Sequence, residues 1–213
     1  MKNGITAFIR SDGNAFLVSG QAGSILIDTG TEKNRDNIKK ACMDKNVKLI
    51  LLTHGHFDHC QNAAYLADAF QCPVGIGAED AELLEQGIQR RVCGKGIWGT
   101  VYAAAANYNI THKNMNCIRP DVILKPDMSL TEYGVDGSVI ALPGHTKGSV
   151  GVLLASGELF AGDAMQSIGR PARTWCFEDY EKAVLSVRRI QELNVSRIYY
   201  GHGKDTSGPY AGV

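Results

Sequence analysis

Residues 52–60 read LTHGHFDHC and place three histidines (His54, His56, His59) and one aspartate (Asp58) directly after a short apolar run. Imidazole nitrogen and carboxylate oxygen are donors suited to Zn, Fe or Mn, with no thiolate required. Taken alone, a His-x-His step fits a polar loop as well as it fits a metal ligand pair. Three further segments repeat the theme. His145 ends SVIALPGH, Asp163 ends ELFAGD and His202 ends SRIYYGH, each directly after a glycine that lets the backbone turn sharply. Five of the six histidines in the chain belong to this set, so coincidence would have to operate at four separate strand ends. Seven donors exceed what one tetrahedral ion takes, whereas two ions bridged by a carboxylate use them and keep positions open for water. In an extended segment His54 and His56 point to one side and can reach one ion, while Asp58 and His59, turning into a helix, can reach another.

The elements that must position these donors are legible in outline. ITAFIR, NAFLVSG and SILIDTG, separated by turn signals, read as an antiparallel meander. Residues 32–45 have the thin apolar stripe (Ile38, Ala41, Cys42) of a surface helix. VKLILLT is continuous enough for a strand buried on both faces. From Asp58 onward the spacing of Ala63, Leu66, Ala67 and Phe70 is helical, which makes LTHGHFDHC a strand-to-helix junction. Residues 77–127 differ in character, with a helical stretch expected over 78–92 and then a segment of clustered Gly, Ala, Asn and Tyr. Short strands resume with SVIALPG, SVGVLLA and ELFAGD, then a helix over 178–193 with Tyr180, Val184, Val187 and Ile190 on one face, then SRIYYGHG.

Composition narrows the function classes. The chain of 213 residues is 44% hydrophobic and 21% charged, as expected of one ordinary globular domain. Lys+Arg and Asp+Glu balance at 22 each, so no basic field points to nucleic acid. The apolar runs are too short to cross a bilayer and the opening residues have no signal-type core, so a cytoplasmic location and no membrane partner are expected. Six cysteines without a Cys-x-x-Cys pair read as plain thiols, Cys60 included although it follows His59.

His54-x-His56-x-Asp58-His59, followed in order by His145, Asp163 and His202, resembles the metallo-β-lactamase superfamily, and within it the hydroxyacylglutathione hydrolase (glyoxalase II) type of site. SILIDTG, LPGHTKGSVG, FAGDAMQSIGR and YYGHG extend the resemblance over most of the chain outside residues 77–127. It implies an α/β (α+β) fold, a four-layer αββα sandwich over residues 1–213, with 77–127 as an inserted, mainly helical lid. It also implies two divalent ions, Zn first, with Fe or Mn as alternatives. His54, His56 and His145 would hold one ion, Asp58, His59 and His202 the other, with Asp163 bridging. Asp28 resembles the aspartate that orients a ligand imidazole in this family.

The activity implied is hydrolysis of a small thioester, ester or lactone by hydroxide held between the ions, with Asp58 carrying a proton. No Gly-x-Ser-x-Gly elbow suggests a serine nucleophile. A mononuclear-iron persulfide dioxygenase and a phosphodiesterase or ribonuclease of the same superfamily are the alternatives. The chain ends soon after His202, where longer glyoxalase II enzymes carry a glutathione-gripping helical domain. Substrate contacts are therefore expected from 77–127, with Arg90, Arg91, Lys95, Trp98, Tyr102, Tyr108, His112 and Lys113 as candidates.

Overall fold

The computed structural model describes residues 4–9, 12–113 and 115–208. The meander is β1 (Gly4–Ile9), β2 (Ala15–Ser19) and β3 (Ser24–Ile27), paired antiparallel. Helix α1 (Arg35–Cys42) then crosses to β4 (Val47–Leu51), parallel to β3. The junction itself is the single turn α2 (Phe57–Cys60), followed by α3 (Ala63–Phe70) and β5 (Val74–Gly77). The one helix expected from Asp58 is thus two. It breaks at Asn62, whose side-chain amide donates to the carbonyls of Thr29 and Thr31 at 2.8 Å each instead of pointing to solvent.

Residues 77–127 depart from a simple inserted lid. Gly77 ends β5, and β7 (Val122–Leu124) adds to the same sheet beside it, so the excursion from the sheet covers only 78–121. Inside it lie α4 (Ala81–Gln86), the two-residue β6 (Cys93–Gly94) and α5 (Gly96–His112). The helical stretch expected over 78–92 stops at Gln86, because Gly87 takes a left-handed φ of 64° and turns the chain.

The second half carries β8 (Gly137–Ala141), β9 (Val150–Leu154) and β10 (Glu158–Phe160), then the hairpin β11 (Met165–Ile168) and β12 (Arg170–Arg173). Strand β13 (Cys176–Phe177) pairs with β6, and helix α6 (Tyr180–Glu192) leads to β14 (Arg197–Tyr199) and β15 (Thr206–Ser207). The sheets order as β1-β2-β3-β4-β5-β7 and β15-β14-β10-β9-β8.

Period-two alternation explains the layers. On β2, Ala15 and Leu17 face α1 and α3, whereas Phe16 and Val18 face the other sheet; β4 does the same with Ile50 and with Leu49 and Leu51. The second sheet answers with Val139, Val150, Val152, Leu154 and Phe160 inward, and Ile140, Leu159 and Ile198 outward beneath α6. The result is the expected αββα sandwich. The buried face of α6 is rotated from the expected one: Ala183, Ser186, Val187 and Ile190 are buried, and Val184 is only half-buried. Among the described residues no helix is long and apolar enough to cross a membrane.

Candidate metal centre

All seven predicted donors converge on one edge of the sandwich, just past the ends of β4, β8, β10 and β14. His54, His56 and His145 bring ring nitrogens together, and Asp58, His59 and His202 bring a carboxylate oxygen and two ring nitrogens together, with ligand atoms in each group within 4.8 Å of one another. Asp163 lies between the groups, its carboxylate 3.1 Å from His202 Nε2, 3.5 Å from His59 Nε2 and 3.6 Å from His145 Nε2. His56 Nδ1 and His145 Nε2 stand 2.9 Å apart, and His202 Nε2 is 3.3 Å from Asp58.

Such a cluster is poorly satisfied by itself. His54 Nε2, His56 Nε2 and Asp163 Oδ1 are buried without any hydrogen-bond partner. Each such atom costs about 1–3 kcal/mol when left unpaired, and a cation among them removes that penalty. Electrostatics agree with the donor chemistry. Burial holds His54 well below the usual imidazole range and pushes His56 down to about 3, so both are neutral donors. Burial pushes the carboxyls of Asp58 and Asp163 up, yet His59 and His202 outweigh it and keep both ionised. His59 and His202 are driven up by the same carboxylates in spite of burial, so a cation entering the site displaces their protons.

Partners behind the donors fix their rings. Asp28, at the expected position after β3, accepts from the Thr53 amide at 2.7 Å, from Thr53 Oγ1 at 2.8 Å and from His59 Nδ1 at 2.8 Å. The Cys176 carbonyl accepts from His145 Nδ1 at 2.9 Å. Both arrangements leave Nε2 turned to the cluster. The His202 loop is gripped from far away in sequence: the side-chain amide of Asn14 donates to the carbonyls of Tyr200 and Gly203, both at 3.0 Å. Gly201 has to be glycine, since a Cβ there would overlap the Asp163 carboxylate. Cys60 turns away as expected, its thiol donating to the His54 carbonyl at 2.9 Å and lodged in the core beneath α3.

A fully buried carboxylate that the sequence did not single out, Asp80, braces two ligand loops. It accepts from the Gly55 amide at 3.0 Å, between His54 and His56, and from Thr146 Oγ1 at 2.6 Å and the Gly148 amide at 3.1 Å, beside His145. Arg90 pairs with Asp80 and, at 2.7 Å, with Glu178.

Five of the donors, His56, Asp58, His145, Asp163 and His202, floor a cavity of about 160 Å³. Its walls are Phe57, Val92, Tyr102, Ala105, Ala106, Asn109, Ile110 and Cys176. Of the eight residues expected to contact substrate, Tyr102 alone belongs to this wall. Arg90 is committed to Asp80 and Glu178, Lys95 sits over the Tyr180 ring at 3.9 Å, and Tyr108 stacks on His112 at 4.1 Å. Lys113 lines a neighbouring depression with Asp12 and Lys33, while Arg91 and Trp98 are exposed. The expectation named basic and aromatic side chains; apart from Tyr102, α5 lines the cavity with Ala105, Ala106, Asn109 and Ile110 instead.

The Metallo-beta-lactamase superfamily profile matches residues 9–202. The hydroxyacylglutathione hydrolase GloC of Haemophilus influenzae is 26% identical over 95% of this chain and 90% of its own. The structure of BLEG-1, a B3 metallo-beta-lactamase, superposes with a TM-score of 0.71 at 25% identity, covering 97% of this chain and 94% of the other. A protein crystallised in a di-iron-bound form gives a TM-score of 0.66 at 26% identity, with the same 97% and 94% coverage.

Proposed function

The chain belongs to the metallo-beta-lactamase superfamily, and from that premise we propose that it is a two-ion hydrolase of small thioesters or esters, lactones included. The observation that carries this reading is a cluster of seven donors, three of their atoms buried without a hydrogen-bond partner, with His56, Asp58, His145, Asp163 and His202 opening onto one cavity. His54, His56 and His145 would hold one ion, Asp58, His59 and His202 the other, and Asp163 both. Zinc suits this set, as do iron and manganese. Bound ions supply activated water near neutral pH and polarise the carbonyl under attack.

The chain's own groups do the rest. Asp58 borders the cavity, is held ionised by His59 and His202, and is placed to take a proton and return it to the leaving group. Phe57, Val92, Ala105, Ala106 and Ile110 keep bulk water off the floor. The amide of Asn109 and the hydroxyl of Tyr102 are polar groups in the wall able to accept from or donate to a bound ester. Asp28 and the Cys176 carbonyl hold the rings of His59 and His145 in one orientation through turnover.

The test is metal analysis of the purified protein followed by assay on S-acyl glutathione, acyl-CoA, simple esters, lactones and a β-lactam, beside an oxygen electrode with glutathione persulfide. Close to two ions per chain and hydrolysis of at least one ester class are expected. One bound iron with persulfide-dependent oxygen uptake and inert esters would replace the hydrolase with a dioxygenase.

A further inference from the structure

We propose that the non-reacting part of the substrate is a neutral, apolar chain that leaves the cavity along α5. The inference rests on the hydrolase reading above and deepens it. Among the described residues lining the cavity there is no lysine or arginine, and their only charged side chains besides the histidines are the donors Asp58 and Asp163. A glutathione thioester brings two carboxylates and an ammonium, which would give up water without a counter-charge to meet them. Of the basic side chains near the wall in sequence, Arg90 is engaged with Asp80 and Glu178 and Lys95 lies over Tyr180, while Arg91 and Lys113 are exposed and outside the lining.

Helix α5 supplies the direction. Its wall residues Tyr102, Ala105, Ala106 and Asn109 form one stripe at helical spacing, and one turn before Tyr102 on that stripe stands Trp98, 84% exposed. Trp175, 40% exposed, meets Tyr102 edge-on at 5.3 Å between ring centres. From Gly96 through Thr111 the helix has no charged side chain, and it leaves Ile97 and Val101 in solvent as well. An exposed apolar strip continuous with a cavity marks a ligand groove. The cavity, at about 160 Å³, is smaller than the ~300–1,000 Å³ that encloses a drug-sized ligand, so a longer chain has to continue outside it. The strip lies where it would emerge.

Both tryptophans of the chain flank this path, so their emission reports on it. The experiment titrates unhydrolysable methyl n-alkyl ketones of rising length into metal-loaded protein. Affinity is expected to rise about twofold per methylene, half in logarithm of the ~fourfold for a fully buried one, with a blue shift in emission. Trp98→Ala should flatten that slope for the longer ketones, and it should fold, because the side chain is exposed. In parallel, the same acyl group is offered on N-acetylcysteamine and on glutathione, with at least threefold higher kcat/KM expected for the uncharged thiol. A flat ketone series, or a glutathione thioester preferred over its neutral counterpart, overturns the inference. So does a Trp98→Ala variant that changes oligomeric state in sedimentation while the slope stays, since the strip would then be a subunit interface. Ketones that bind with the expected slope while every ester and thioester stays inert would leave the groove standing and remove the hydrolase reading.

Discussion

Replacing Asp80 by alanine tests whether the metal loops are braced from below. The substitution deprives the Gly55 and Gly148 amides of their buried acceptor, while Thr146 Oγ1 keeps Ser149 Oγ at 2.7 Å and Arg90 keeps Glu178 at 2.7 Å. Two buried N–H groups left unpaired cost about 1–3 kcal/mol each, so a loss of about 4 kcal/mol is the central value. For a chain of this length each kcal/mol moves Tm by about 2–4 °C, giving a drop of about 8–16 °C. The assay is thermal unfolding of the metal-stripped protein, so that loss of ions cannot mimic loss of packing. Asp80→Asn, which keeps one acceptor oxygen and the shape, should fall by about half as much. Glu85→Ala, removing an exposed carboxylate from the same segment, should move Tm by less than about 2 °C. A drop of under about 3 °C for Asp80→Ala would show that the loops hold themselves, and that the hydrogen bonds to Asp80 are incidental.

Other outcomes follow from the same geometry. Asp163→Ala should lose at least one ion per chain and most activity, read by elemental analysis; full occupancy would overturn its place between the two donor groups. Cys60→Ser should keep both ions, because a hydroxyl also donates to the His54 carbonyl, at a cost of about 1–2 kcal/mol in stability; a metal loss like that of His59→Ala would contradict it. Gly201→Ala should bind ions poorly in elemental analysis and lose stability as well, since its Cβ overlaps the Asp163 carboxylate and, at 2.9 Å, meets His59; full ion occupancy would contradict the close approach. Asp28→Ala should weaken metal binding about 10–100-fold in a chelator competition, and an unchanged affinity would remove its role in orienting His59.

The donors were legible because their chemistry is written in residue type: few other residues can replace a histidine, and a preceding glycine marks the turn. The sandwich was implied by the resemblance those donors carry; the strands by themselves gave an antiparallel meander and one strand, VKLILLT, apolar enough to be buried on both faces. What stayed hidden depends on tertiary placement. Asp80 sits in AEDAELLEQ, where a carboxylate looks like the first turn of a surface helix; only the fold turns it under Gly55. Asn14 opens NAFLVSG, a stretch that reads as a strand, and nothing local signals a grip on Tyr200. Most of the cavity wall, Tyr102 apart, was missed because α5 has no charged side chain from Gly96 through Thr111 and no period to say which side faces the donors, so basic and aromatic neighbours drew the expectation instead.

The hydrogen bonds from Asn14 to the His202 loop close the molecule across a separation of 186 residues along the chain. His202 itself comes 143 residues after His59, its neighbour in the cluster. Contacts this remote form late in folding, because the loop they close costs entropy before it returns any contact. During synthesis the first four donors leave the ribosome long before His145, Asp163 and His202, so ions captured early would meet only half a site. Tight binding of two ions would therefore require that the two sheets have already docked and that the last strands have found Asn14, the residue directly before β2. Ions bound at the centre would cross-link the first half of the chain to the second as a staple would, and chelation should loosen the seam between the sheets before it loosens either sheet.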